Sequence, residues 1–395
     1  MGSVNITLAN GQLGGTLQTG DGITGMVLTG ITEGSYTAGT PILITSTADA
    51  QTAGITASGN AFATRQIKEY YNQAGTGSQL YIMLVPPTMT IADIADPDNA
   101  SGARKLLDYA DGRIKVLGLL ADDTEVEAEA GVAITITDGL NEDVYTAAGR
   151  MAVMAATYFA AHKPFRAVIG GSSYSGVPGN LRDMTDGTTN NRTAILLGDT
   201  QAGRAACIGL MLGVVASVPV QRKISRVRTG PLTNQAAYVG ITKIETVPGA
   251  LPIIAERGFI TFITYANTSG YFFSGDAMCT ATTDDYSMLA RGRVIDKAHI
   301  LAYKTFVQVV DDEVPVNADG TLDAGFCKWL SQQIVNLVNS DMTANKEISS
   351  ISCYIDPEQN ILSTNQLHVV LSIVPVGYAT NIYIQLGFSN PALAA

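Results

Sequence analysis

A chain of 395 residues with a formal net charge of -11 lacks the basic balance of a general nucleic-acid binder, and its 46% hydrophobic content excludes the disordered and fibrous classes. Only 15% of the residues are charged, so much of the folded surface must be uncharged, which suits burial in an assembly. Cys207, Cys279, Cys327 and Cys353 lie far apart with no CxxC pair, which points to reduced, buried thiols rather than zinc or a disulfide framework.

In chain order, Val4, Ile6 and Leu8 alternate with Asn5 and Thr7, a Gly-rich run follows (Gly11, Gly14, Gly15, Gly20), and the first charged residue is Asp21. This reads as an uncharged strand on a flexible attachment, with no signal peptide, so the chain is expected to fold in the cytoplasm that made it. Ile23 to Leu28 and Pro41 to Thr45 read as strands, Ala61 to Tyr71 as a helix and Leu80 to Val85 as a strand. Ala103 to Ala110 is helical, Ile114 to Leu120 a continuous apolar strand, and Asn141 to His162 a long helix with Val144, Ala148, Met151, Ala155 and Phe159 on one stripe, stopped by Pro164. Phe165 to Ile169 and Thr193 to Leu197 are strands. Ala205 to Val220 is the longest uncharged apolar run, short for a membrane span; Gly209, Gly213 and Ser217 at spacing four suit a tightly packed buried helix. The alternation implies an α/β layer domain with a partly parallel sheet.

From about Ile241 the character changes. Ile253 to Tyr265 is strand-like, Asp284-Asp285 opens a helix running to about Val310, and Asp323 N-caps an amphipathic helix with Phe326, Trp329, Leu330, Ile334 and Leu337 inward. Ser349 to Ile355 begins a β region. Ile361 to Phe388 then reads as two strands around Pro375-Val376-Gly377, without any Lys, Arg, Asp or Glu: Leu367, Val369, Leu371 and Ile373 alternate in the first, and Ile382, Ile384, Leu386 and Phe388 in the second. An uncharged terminal strand with one apolar face invites pairing. It pairs either with the N-terminal strand of the same monomer or, by strand addition, with another subunit.

Little in the chain points to catalysis or a cofactor. His162, His299 and His368 have no Cys, His or acidic partner at ligand spacing. Gly170 to Gly176 follows a strand but lacks G-x-S-x-G spacing, and Gly20-Asp21-Gly22-Ile23-Thr24-Gly25 matches G-x-G-x-x-G only in front of a strand, where no helix N-terminus could hold a pyrophosphate. The acidic pairs Asp122-Asp123, Asp284-Asp285 and Asp311-Asp312 suit loops and helix starts. Two basic groups stand against the acidic background: Arg222, Lys223, Arg226 and Arg228, and, on one helix face, Arg293, Lys297 and Lys304 with Arg291 adjacent. Each is either a solvated face or a contact for an acidic protein partner.

Gly270-Tyr271-Phe272-Phe273-Ser274-Gly275-Asp276, Asp284-Asp285-Tyr286, Arg291-Gly292-Arg293-Val294-Ile295-Asp296-Lys297 and Val374-Pro375-Val376-Gly377-Tyr378-Ala379 together resemble contractile tail sheath proteins of phage tails and contractile injection systems, of a Bacteroidetes-type group. Ser217-Val218-Pro219-Val220 is similar to the segment where such proteins return from their outer domain. The Trp-Gly-Ala-Arg-Thr run of the commoner phage pattern is absent. The resemblance implies an α/β plus α+β, multi-domain sheath-like fold: an N-terminal β-arm (1–20), an outer α/β domain (21–240), an inner, tube-proximal domain (241–374) and a C-terminal β-arm (375–395). It implies hexameric rings of this chain stacked helically around an inner tail tube protein, with baseplate and terminator proteins as further partners, in a virion tail or assembled in the bacterial cytoplasm. It calls for no cofactor, metal, nucleic acid or membrane insertion. Arg291, Arg293, Lys297 and Lys304 are then expected to face the tube, and Val4, Ile6, Leu8, Ile382, Ile384, Leu386 and Phe388 to form the intersubunit strands. The rivals are a non-contractile tail or capsid component and an enzyme on the α/β domain, which would need a histidine or a carboxylate pair converging on Ser172-Ser173.

Overall fold

The computed structural model describes residues 20–131, 133–187 and 189–388. The N-terminal strand expected at Val4, Ile6 and Leu8 lies outside the described residues. The chain forms two compact units, the first ending at Glu313 and the second beginning at Val314. This division differs from the expected boundary at 240, because residues 241–313 are built into the first unit: a strand at 259–260 joins its sheet and a helix at 289–306 is ion-paired to it.

The first unit is organised by β1 (Thr24–Thr29), β2 (Ile42–Ile44), α1 (Ala61–Ala74), β3 (Leu80–Val85), α2 (Ala103–Ala110), β4 (Val116–Leu120), α3 (Asp123–Ala130), α4 (Glu142–Ala160), β5 (Arg166–Gly170), β6 (Thr193–Leu196), α5 (Ile208–Ser217), β7 (Phe259–Ile260), the hairpin β8 (Phe262–Tyr265) and β9 (Thr268–Phe273), and α6 (Leu289–Phe306). Seven strands make one sheet in the order β7-β6-β5-β4-β1-β3-β2. All neighbours run parallel except β2, which lies antiparallel to β3 at the edge. Strands β1, β3, β4, β5 and β6 are buried along their whole length, as a parallel sheet covered by helices requires. Their uninterrupted apolar runs reflect that burial.

Helix α5 packs on α1 through its glycines. A Cβ at Gly209 would lie 2.0 Å from the Gln66 carbonyl oxygen, and one at Gly213 2.6 Å from that of Tyr70. Gln66, buried in α1, also donates from Nε2 to the Ala206 carbonyl (2.9 Å) and accepts the Gly209 amide at Oε1 (2.7 Å). The Gly209→Ala variant is expected to lose stability: forcing two backbones apart costs about 1–3 kcal/mol or more, exceeding the ~1 kcal/mol gained in helix propensity. Gly149, on the exposed side of α4 with nothing within 4 Å of a Cβ, is the control. There Gly→Ala should raise the urea midpoint slightly, while Gly209→Ala lowers it.

Two sequence expectations change in this unit. Residues 250–256 are a helix rather than the start of a strand; Pro252 sits in its first turn, where a missing N–H costs nothing. The helix expected to open at Asp284-Asp285 begins at Leu289, because Asp284 closes a turn by accepting the Tyr286 amide at 2.6 Å.

The second unit contains α7 (Ala324–Val338), β10 (Ile348–Tyr354) and β11 (Val370–Pro375), with β10 and β11 antiparallel. Asp323 caps α7 by accepting the Phe326 amide at 2.8 Å. The buried stripe is Cys327, Leu330, Ile334 and Val338, spaced by three and four residues. Trp329, expected inward, is 52% exposed; at about 100° per residue it falls one step off that stripe.

Candidate functional site

The β10–β11 hairpin and the segment after it form the feature that the packing leaves unfinished. Ile351 and Cys353 of β10 and Leu371 and Ile373 of β11 turn one face inward and are half-buried, while Tyr354, Val370 and Val374 stand exposed. Ile351 pairs with Ile373 and Cys353 with Leu371. Among the described residues no third strand joins this pair, and a two-stranded ribbon alone is marginally stable in water. A groove of about 330 Å³ runs between α7 and β10, lined by Cys327, Ser331 and Val335 on one side and Cys353, Ile355 and Pro357 on the other. The expected second strand is not paired: residues 376–388 have no regular structure, with Ile382 74%, Ile384 81% and Leu386 94% exposed, and Phe388 fully exposed. The expected turn at Pro375-Val376-Gly377 falls at the end of β11, which includes Pro375.

The basic stripe on α6 is divided by the fold. Arg293 is 4% exposed, and its Nη2 donates to the carbonyls of Val215 (3.3 Å), Val218 (3.3 Å) and Asp21 (3.2 Å). Lys297 pairs with Asp21 at 2.8 Å. These two cations therefore pin Gly20–Gly22, where the described chain begins, to α6 and to the end of α5, instead of forming an open face. Lys304 is exposed and Arg291 half-buried. Arg293→Glu is accordingly expected to destabilise the first unit, since a buried carboxylate would face three carbonyl oxygens. Lys304→Glu should change the unfolding free energy by no more than about 0.5 kcal/mol, as exposed substitutions do. Far-UV circular dichroism in urea distinguishes the two.

Two of the motifs that carry the resemblance, at 270–276 and 291–297, meet at this helix. Asp276 accepts the Ala290 amide at 3.1 Å through its side chain and the Leu289 amide at 2.8 Å through its carbonyl, and it pairs with Lys223 at 3.2 Å. Asp296 receives Arg166 Nε at 2.7 Å and Nη2 at 3.1 Å, with Arg192 at 3.3 Å. Of the second basic group, Lys223 is thus fixed to Asp276, while Arg226 and Arg228 are exposed.

At Ser172-Ser173 a carboxylate does converge. Ser173, at φ 53, donates to Asp123 and accepts Arg204 Nε at 2.9 Å, and Asn141 donates to Asp123 at 3.0 Å. Burial pushes the Asp123 carboxyl above its ordinary range, with the Ser173 hydrogen bond opposing it. Glu127 is held low, chiefly by its hydrogen bond from Arg204. Ser173 and Asp123 are both buried, and no histidine is among these contacts. The cluster ties the carboxyl ends of β4 and β5 together. The thiols of Cys207, Cys279 and Cys327 are buried and that of Cys353 half-buried, all four free; burial pushes Cys279 up to about 12.

The fold is shared with chains of solved contractile injection assemblies. A chain of the anti-feeding prophage baseplate, 6-fold symmetrised, is similar at a TM-score of 0.62 and 12% identity, covering 99% of this chain and 100% of that one. A chain of the contracted anti-feeding prophage helical sheath matches at 0.61 and 13% identity, and one of the contracted PVC sheath complex, an extracellular contractile injection system, at 0.58 and 13% identity, each covering 98% of both chains. The chain belongs to the DUF2586 family: the DUF2586 N-terminal domain matches residues 1–277 and the DUF2586 C-terminal domain residues 285–393. No curated protein matches it in sequence.

Proposed function

We propose that the chain is a subunit of a contractile tail sheath, polymerising as hexameric rings around an inner tube and contracting to drive that tube through a target envelope. The shared fold with chains from sheath and baseplate assemblies supports self-assembly and baseplate association. The observation that carries the reading is the uncharged segment 382–388, which alternates Ile, Ile, Leu and Phe in solvent beside a hairpin whose edges no other described strand pairs. Apolar strands without charge are aggregation-prone unless something covers them. In this reading residues 1–20 and 375–395 are arms that add strands to the hairpins of neighbours, and Val4, Ile6 and Leu8 supply the N-terminal strand. The tube contact falls to the exposed Lys304 with Arg291, and to Arg226 and Arg228, while Arg293 and Lys297 hold the root of the N-terminal arm. The role is mechanical and needs no catalysis or cofactor. Among the described residues no helix is long and apolar enough to cross a membrane.

Negative-stain microscopy of the purified full chain at low salt tests the reading. Hollow cylinders with six-fold end views are expected. Closed shells, or a chain that stays monomeric at all concentrations, would overturn it.

A further inference from the structure

The fold brings together two of the chain's three histidines from positions 137 residues apart: His162 Nδ1 lies 3.1 Å from His299 Nε2. Each ring is held by aromatic neighbours. His162 follows the end of α4 at φ 59, a left-handed conformation uncommon outside glycine, and stacks on Tyr303 with ring centres 3.8 Å apart and planes 15° apart. His299, on α6, packs against Phe159 at 4.2 Å, and Arg192 covers the same Phe159 ring at 4.2 Å. The pair is at the surface, with His162 exposed and His299 half-buried. The nearby carboxylate of Asp296, one turn before His299, is occupied by Arg166 and Arg192. Among the described residues no group of three or more His, Cys, Asp or Glu could hold a metal ion.

We propose that His162 and His299 form a two-imidazole site for a divalent first-row transition metal, with Cu(II) or Ni(II) favoured. Metal–nitrogen bonds of about 2.0–2.1 Å drawn to two nitrogens 3.1 Å apart enclose an angle of roughly 95–102°. That is close to the right angle between neighbouring ligands of the tetragonal geometry these ions prefer, and imidazole is a ligand they select. Water fills the remaining positions. Binding replaces the hydrogen bond between the rings and clamps the end of α4 to α6. The assignment does not depend on the sheath reading.

The test titrates the full chain with Cu(II) and separately with Ni(II) near pH 7.5, by calorimetry for stoichiometry and by pulsed electron paramagnetic resonance for the copper ligands. One equivalent is expected, with two imidazole nitrogens on the copper. His162→Ala and His299→Ala should each weaken binding at least tenfold, while His368→Ala, in the other unit, leaves it unchanged. Thermal unfolding should move upward with metal concentration in the wild type and in His368→Ala, and much less in His162→Ala and His299→Ala. Copper carrying one imidazole, affinity unaltered by His162→Ala, or loss in His368→Ala would each overturn the assignment. The nitrogen count is read on the wild-type chain, so the test stands even if a variant misfolds.

Discussion

Truncation after Ala379 is expected to leave a folded, soluble monomer that no longer assembles. Among the described residues, 380–388 make no ladder with the rest of the chain, and β11 ends at Pro375, so unfolding of either unit should occur at its wild-type midpoint. Assembly is another matter. Docking 381–388 as a strand orders eight residues at about 1–2 kcal/mol each, a cost of roughly 8–16 kcal/mol. Burying Ile382, Ile384, Leu386 and Phe388 returns about 1.5–3 kcal/mol apiece, and a handful of ladder hydrogen bonds adds about 1 kcal/mol each, together roughly 10–17 kcal/mol. One arm is therefore nearly neutral, and a lattice must engage many at once. Replacing Leu386 and Phe388 by Ser should abolish assembly as completely as truncation. Sedimentation velocity checks both variants, and large particles from either would count against intersubunit pairing.

The second large effect is expected at Arg166. Its side chain is 1% exposed, yet it carries a full charge, satisfied by a two-point contact with Asp296 and by the carbonyls of Asn191 (2.6 Å) and Gly292 (3.1 Å). Gly292 leaves room for this contact, since a Cβ there would lie 2.5 Å from the guanidinium carbon. Arg166→Met strands the buried Asp296 with only the longer Arg192 contact, and should cost the first unit about 3–5 kcal/mol. Lysine cannot reproduce the forked contact and should recover little of it. The double variant Arg166→Met with Asp296→Leu removes both charges and should restore a large part of the loss. Urea midpoints for the three variants check the sequence of effects; a double variant as unstable as the single would show that the pair's shape, and not its charge balance, matters.

The sheet was legible in sequence because its strands are buried on both faces. Leu80 to Val85 and the apolar run ending at Leu120 needed no alternation to be recognised, and the turn residues around them set their ends. The spacing of Gly209 and Gly213 announced a close helix contact for the same reason: absence of a side chain is itself a local signal. Segment 250–256 was misleading, since a short apolar run such as Leu251 to Ile254 fits strand and helix alike. The site residues were harder. Charge made Arg293 and Lys297 read as surface, yet what decides their placement is a set of carbonyls from Val215 and Val218 and the Asp21 carboxylate, brought in from far along the chain. No local pattern encodes such an encounter, nor that between His162 and His299. Alternation and lack of charge make segment 382–388 read as a strand, yet residues 376–388 have no regular structure and no described strand pairs with them.

The central claim is that segment 382–388 pairs between copies. Cryo-electron microscopy of assemblies of the full chain tests it most directly. The account predicts residues 382–388 as an extended strand hydrogen-bonded to an edge of the β10–β11 hairpin of a neighbouring subunit. The same strand folded back onto the hairpin of its own chain, with neighbours held by other surfaces, would contradict it.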